Sequence, residues 1–363
     1  LNGGICLYAQ IGYAMNRIEQ TIRDWKCSGE GTTRRVFVVT DTNVDRLVMP
    51  LFAEAAPSIA EAERIVISPG EDNKNIRTVE SVWRRLMSAE ATRNDLLVNV
   101  GGGMVSDLGG FAAATFKRGM PYANIATTLL AAADASVGGK TGVNFGGVKN
   151  AVGAFAMPLG TEVCYEAFST LSREEILSGY GEILKMSLVA SPESLVSIAR
   201  AEDNIADLER LGDFARESAR LKMAIVDKDP KETGLRKTLN FGHTFGHAFE
   251  SLALERGHCV AHGIAVAYGI VTALVLSRML CGFPSELLYF VAKEVVRPYF
   301  GSVGMTCSDY PELLAFMHND KKNSDSGSIR FVLLEDAGRP VCDVSVPDDD
   351  VKAALDICRD LLS

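Results

Sequence analysis

The chain has 363 residues, of which 47% are apolar and 23% charged, so a large core is available and the composition is not that of a disordered polypeptide. A formal net charge of -9 argues against a nucleic-acid surface, which needs a basic face. It leaves room for a small phosphorylated substrate, which a few local cations can hold.

Taken in chain order, the opening LNGGICLYAQIGYAM lacks a basic segment ahead of a long apolar one, so no secretion signal is expected. The eight cysteines are scattered with no C-x-x-C pair, the usage of reduced thiols in a cytoplasmic enzyme rather than of a disulfide frame. Residues 35–40 read as a β-rich run ending at Asp41, followed by helix to Leu51; 64–67 read as a second strand closed by Ser68-Pro69-Gly70. A helix is predicted over 76–87, a buried strand over 96–100, a helix over 106–115 and a strand over 123–126. Such alternation with apolar strands predicts a parallel sheet covered on both faces. Beyond about Ser172 the periodicity becomes helical, with one later strand-like piece at 329–334. The apolar stretch 260–280 contains His262 and Arg278 and falls short of an uninterrupted membrane span, so a buried helix is expected. The expected architecture is therefore α/β plus all-α in two domains, a nucleotide-binding unit over 1–167 and a mostly helical metal- and substrate-binding unit over 168–363, with no internal repeat.

Three constellations carry chemistry. Gly101-Gly102-Gly103, running into Ser106 and Asp107, lies between a predicted strand and a predicted helix, where glycine lets a backbone approach a pyrophosphate. The spacing is not G-x-G-x-x-G, and alone it fits a tight turn equally well. Asp41 and Asn43, Glu71 and Lys74, and Thr127 and Thr128 follow other strand ends and favour a nucleotide. In the second, Lys140, Asn144, Lys149 and Asn150 stand among glycines, a cation-bearing loop suited to phosphate or carboxylate, to which Arg118 can add. An isolated lysine in a solvated loop is the bland alternative.

The third is the run Arg236 to His247. Arg236, Asn240, His243 and His247 fall at i, i+4, i+7 and i+11, which is one face of an α-helix. His243 and His247 can then present two imidazoles to one site, with His262 and Glu182 as further ligands and Lys185 one turn beyond Glu182. His258 is a weaker alternative ligand, His318 is read as incidental, and two histidines with one glutamate would leave a metal position open to substrate.

Together the segments GGGMVSDLGGFAAATFKRG, TTLL, DASVGGKTGVN, GYGEILK, LRKTLNFGHTFGHAFE, AHG and DKK resemble the 3-dehydroquinate synthases, in that family's order. The resemblance implies a Rossmann-like α/β domain with a helical partner, and a homodimeric lyase that uses NAD and zinc or cobalt. Its substrate would be 3-deoxy-arabino-heptulosonate 7-phosphate, converted to 3-dehydroquinate and phosphate by oxidation, β-elimination, reduction, ring opening and aldol closure. It further implies metal ligands Glu182, His243 and His262. A cofactor site is implied at Asp41, Asn43, Glu71, Lys74, Gly102, Gly103, Asp107, Thr127, Thr128, Lys140, Lys149 and Thr170. Substrate contacts are implied from Asp134, Lys140, Lys149, Asn150, Lys185, Lys222, Arg236, Asn240, His247 and Lys322, with Arg118 reaching the phosphate in its own or the partner subunit. Departures are Ser106 for a usual Gly, Ala135 for a usual Ser, and Ile264 for the Glu that usually follows His-Gly, which removes an expected support of the metal ligand. Related sugar phosphate cyclases and metal-dependent polyol dehydrogenases are the rival families, the latter leaving the lysine cluster without a purpose; retention of every expected ligand and cation speaks against a scaffold.

Overall fold

Strands β1 (Val36–Asp41) and β3 (Leu96–Gly101) are buried at every residue, as apolar runs must be when both faces of a parallel sheet are covered. The computed structural model describes residues 19–28, 34–319 and 328–363, apart from the side chains of 201–203. They divide into two units, Leu1–Leu171 and Ser172–Ser363.

In the first unit, β2 (Glu63–Ile67), β4 (Tyr122–Ala126) and β7 (Thr161–Val163) complete a parallel sheet in the order β2-β1-β3-β4-β7. Alternation splits the apolar side chains between two cores. Val36, Val38, Leu96, Val98 and Val100 pack on one face, while Phe37, Val39 and Leu97 pack on the other. The order reverses between β1 and β3, and the crevice at the carboxyl ends of such strands is where ligands of open α/β sheets bind. Helix α1 (Ile76–Ser88) is capped by Asn75, whose side chain accepts from the N–H groups of Arg77 and Thr78. Helix α2 (Gly103–Thr115) starts a turn earlier than expected, because the glycine turn itself supplies its first residues. Asn99 and Asn124 face each other across β3 and β4 with a 2.9 Å hydrogen bond.

The lysine-rich segment, expected as a flexible loop, is a hairpin of β5 (Lys140–Phe145) and β6 (Val148–Phe155). Its two-residue turn, Gly146-Gly147, has φ of +60° and +80°, the left-handed pair that joins antiparallel strands without splaying them. The glycine pair between β-rich runs was the available signal. Strand β7 also went unread, being three residues long.

The second unit opens with α3 (Arg173–Ala190), started by a reciprocal cap between Ser172 and Glu175. Helices α4 (Leu208–Val226), α5 (His243–Glu255) and α6 (His262–Cys281) follow, then α7 (Tyr310–Asn319), strands β8 (Ile329–Asp336) and β9 (Arg339–Val346), and α8 (Asp348–Leu362). Helix α6 has 20 residues, so by length and composition it could cross a membrane, contrary to the sequence reading. It is 72% buried against α3, α5, α8 and β8 and is a core helix. Strand β9 was not anticipated either; it pairs with β8 through the turn Ala337-Gly338. The seven cysteines among the described residues are free thiols.

The continuous helix expected over 236–247 does not form. Residues Leu235–Asn240 make a 3-10 turn, Phe241 is extended, and Gly242 has a φ of +77° before α5 begins at His243. A side chain at Gly242 would stand 2.9 Å from the backbone nitrogen of Ile270, so close contact with α6 dictates the break.

Candidate functional site

Three helices bring Glu182, His243 and His262 together, and glycines set how closely. Gly181 precedes Glu182 on α3, and Gly263 follows His262 at the start of α6. A Cβ on Gly181 would lie 2.0 Å from the Gly263 carbonyl oxygen, and one on Gly263 would lie 1.7 Å from that of Ser178. The two backbones therefore touch beside the two side chains, a contact sealed by a 3.1 Å hydrogen bond from the Gly263 N–H to Ser178 Oγ. Helix α5 starts on His243, whose Nε2 is 3.6 Å from Glu182 Oε1; His262 Nε2 is 3.5 Å from the same oxygen. One ligand atom from each residue falls within 4.8 Å of the others.

These separations suit a cation. Ligands about 2.0–2.1 Å from a tetrahedral zinc stand about 3.4 Å apart, near the two distances observed. Glu182 is fully buried, and neither of its oxygens has a hydrogen bond of ordinary geometry, although Lys185 forms an ion pair with Oε2. Burial alone would raise its pKa, but Lys185 and His262 bring it down to about 2. Burial likewise disfavours charge on His262, yet the Glu182 and Glu250 carboxylates beside it push it up to about 10. Each histidine turns Nδ1 to an acceptor and Nε2 to Glu182: His243 Nδ1 is 3.2 Å from the Phe241 carbonyl oxygen, and His262 Nδ1 is 3.2 Å from Glu250 Oε2. With the Nδ1 protons held there, a metal that displaced the Nε2 protons would meet two imidazole lone pairs and one carboxylate, the donor set of a catalytic zinc or cobalt centre.

The other expected residues of this unit surround the centre unevenly. His247 is exposed, its ring 5.5 Å from that of His243 and 5.9 Å from that of His262. Lys185 is committed to Glu182, and Lys222 is buried on α4. Arg236 is 1% exposed and donates to the Pro230 carbonyl at 2.8 Å. Asn240 donates to Glu232 Oε1 at 2.8 Å. Lys322 lies outside the described residues, as does Lys321. His258 is exposed and apart from the cluster, and His318 pairs with Asp348.

Sequence reading missed three supports. Asp229 accepts the backbone N–H groups of Thr233, Gly234 and Arg236 at 2.9, 2.7 and 3.0 Å and thereby seats Arg236. Glu232 holds Asn240 from a left-handed conformation, φ +60°. Glu250 faces His262; its place seven residues after His243, on one face of α5, was the signal available.

In the first unit, the expected nucleotide residues gather at strand ends. Asp41 ends β1 and accepts from the N–H groups of Asn43 and Val44, so its carboxylate is already engaged as a helix cap. Gly102 and Gly103 open α2 with no side-chain cap, leaving its first N–H groups available to an anion. The Thr127 hydroxyl, at the end of β4, is buried without a hydrogen-bond partner, and Thr128 packs beside Gly102. Lys74 is 5% exposed and donates to both Asp107 and Asn150 at 2.6 Å, and Asn144 donates to Glu71 at 2.9 Å. These contacts tie the hairpin to the sheet edge. Around them lies a cavity of about 300 Å³, lined in part by Asp107, Lys140, Thr141, Asn150 and Phe155. Asp134 sits in the turn of helix at Ala131–Ala135. Lys149 is exposed on β6, and Arg118 is exposed beyond α2 with a φ of +68°. The Thr170 hydroxyl donates to the carbonyl of Ala167.

Comparison with known proteins agrees along the chain. The 3-dehydroquinate synthase N-terminal profile matches residues 64–178 and the C-terminal profile matches 179–323. A 3-dehydroquinate synthase of Parabacteroides distasonis is 43% identical over 326 residues, covering 90% of this chain and 92% of that protein. Among solved structures, 2-epi-5-epi-valiolone synthase from Streptomyces hygroscopicus, with NAD+ and Zn2+ bound, has a TM-score of 0.77 at 25% identity, covering 90% of this chain and 91% of the other. A 2-deoxy-scyllo-inosose synthase complexed with carbaglucose-6-phosphate, NAD+ and Co2+ shares the fold at a TM-score of 0.78 and 22% identity, covering 96% and 95%. With both profiles matched in order and such identity across nine-tenths of its length, this chain belongs to the 3-dehydroquinate synthase family.

Proposed function

We propose that this chain converts 3-deoxy-arabino-heptulosonate 7-phosphate to 3-dehydroquinate and phosphate, with NAD and a divalent zinc or cobalt ion as cofactors. The observation that carries the reading is a fully buried carboxylate, Glu182, with the Nε2 atoms of His243 and His262 turned to one of its oxygens. In this reading those three residues hold the metal. The open amino end of α2, with Asp41, Asn43, Glu71, Lys74, Asp107, Thr127, Thr128 and Thr170, serves the nucleotide; residues 1–167 form the NAD domain and 168–363 the metal and substrate domain.

When bound, the metal acidifies a substrate hydroxyl and NAD accepts and returns a hydride. The chain's own residues do the rest. Lys140, Lys149, Lys222, Arg236, Lys322 and Arg118 neutralise and orient phosphate and carboxylate, while Asp134, Asn150, Lys185, Asn240 and His247 position hydroxyl groups and protons. Arg236 and Lys222 are buried, where attraction between a cation and an anion is screened less than in solvent, which supports this. The chain acts in the cytoplasm as a homodimer on this phosphorylated keto-sugar acid, with neither nucleic acid nor membrane as partner. The exposed Phe145, Val148, Val152 and Met157 on and beside the β5–β6 hairpin support the dimer.

Incubation with the heptulosonate phosphate, Zn2+ and NAD+ tests the proposal. Phosphate released without accumulating NADH is the expected result; steady growth of NADH would mean a polyol dehydrogenase instead. No turnover of this substrate, but turnover of another sugar phosphate, would place the chain with the valiolone- or inosose-forming cyclases.

A further inference from the structure

A neutral imidazole carries one proton on two nitrogens, so a histidine that ligates through Nε2 must keep its proton on Nδ1. For His243 the Phe241 carbonyl stands at Nδ1, 3.2 Å away, and holds that tautomer. For His262 the corresponding acceptor is Glu250, whose Oε2 lies 3.2 Å from Nδ1, while Nε2 is 3.5 Å from Glu182 Oε1. Glu250 comes from α5, the helix that also begins with His243, so one helix carries a ligand and the support of another. Its side chain is 14% exposed, sheltered enough for the contact to persist.

We propose that Glu250 is the positioning residue of the metal centre, holding His262 in the Nδ1-protonated tautomer and aiming its Nε2 at the ion. The inference rests on the reading that Glu182, His243 and His262 bind the metal. His247, Glu250 and His262 also bring ligand atoms within 4.8 Å of one another, so a second ion with Glu250 as ligand is the competing arrangement. That arrangement would need His262 Nδ1 deprotonated, whereas a carboxylate 3.2 Å away favours a proton on it.

The test uses the full chain stripped of metal, titrated with chelator-buffered Zn2+ and, separately, with Co2+ followed by visible absorption. Wild type is expected to bind one ion per chain. Glu250→Ala should bind about 10- to 100-fold more weakly, with altered Co2+ bands and an unchanged melting temperature of the metal-free protein. Glu250→Gln, whose amide oxygen can still accept from Nδ1–H, should recover part of the affinity. The proposal is overturned if Glu250→Ala keeps wild-type affinity and spectrum, or if its metal-free form melts lower in step with the affinity loss and Gln restores nothing. It is equally overturned if wild type binds two ions and both variants lose one. His243→Ala separates the levels: if it binds Zn2+ as wild type does, the three-residue metal centre itself is wrong, whatever Glu250 does.

Discussion

Gly181→Ala probes the contact on which the metal centre depends. A Cβ at this position would stand 2.0 Å from the Gly263 carbonyl oxygen, and carbon–oxygen approaches under 3.0 Å do not occur at real Cβ atoms, so at least 1.0 Å of separation must open. That oxygen is backbone and cannot rotate away. The movement falls between Glu182 and His262, each adjacent in sequence to one side of the contact. Ligand distances at a metal tolerate about 0.2 Å, so the displacement is about five times what the site can absorb. We expect overpacking to cost about 1–3 kcal/mol of stability and turnover to fall about 100-fold or more, with Zn2+ affinity falling alongside. Phosphate release and chelator-buffered Zn2+ titration measure both. Gly160→Ala is the control, because a Cβ there meets nothing within 4 Å, and it should behave as wild type. A Gly181→Ala protein that bound Zn2+ and turned over normally would refute the claim that this backbone contact fixes the ligand geometry.

Other outcomes follow from the same structure. Lys140→Ala should weaken substrate binding about 10- to 100-fold while zinc content stays constant by metal analysis; loss of zinc would mean the hairpin has been misread. Hydrogen bonds from the Thr233, Gly234 and Arg236 backbones outweigh burial and hold the Asp229 carboxyl down at about 2, below its unfolded value of about 3.9. Its stabilising contribution is therefore present above pH 4 and lost as pH falls toward 2. Asp229→Asn should flatten that acid limb in urea unfolding measured across pH, and an unchanged limb would count against the loop's role in seating Arg236. Phe145 is 60% exposed, and Phe145→Glu should convert a dimer to a monomer by light scattering; a wild-type monomer would remove the basis for the interface.

The first unit was largely legible because its strands are short apolar runs separated by turn residues, and local pattern suffices where both faces of a sheet are buried. Val36–Asp41 and Leu96–Gly101 could be read nearly to the residue. The hairpin Lys140–Phe155 was not, since β5 buries only Thr141, Gly142 and Val143 and β6 is exposed at almost every position, so neither carries an apolar alternation. In the second unit the chemistry-bearing types were legible, but their geometry was not. The i, i+4, i+7, i+11 spacing of Arg236 to His247 suggested one helical stripe, and Gly242 breaks it.

Sequence alone determined which side chains are available: a carboxylate on an apolar helix, histidines spaced by turns, glycines beside them, cations among glycines. These are local facts of residue type and period. Only the packed structure decided that Gly242 turns left-handed against Ile270, that Gly181 and Gly263 bring two backbones into contact, and that Glu250 reaches His262. Each of those depends on helices far apart in sequence meeting at a distance set by missing side chains, and no periodicity along one segment encodes where another will touch it.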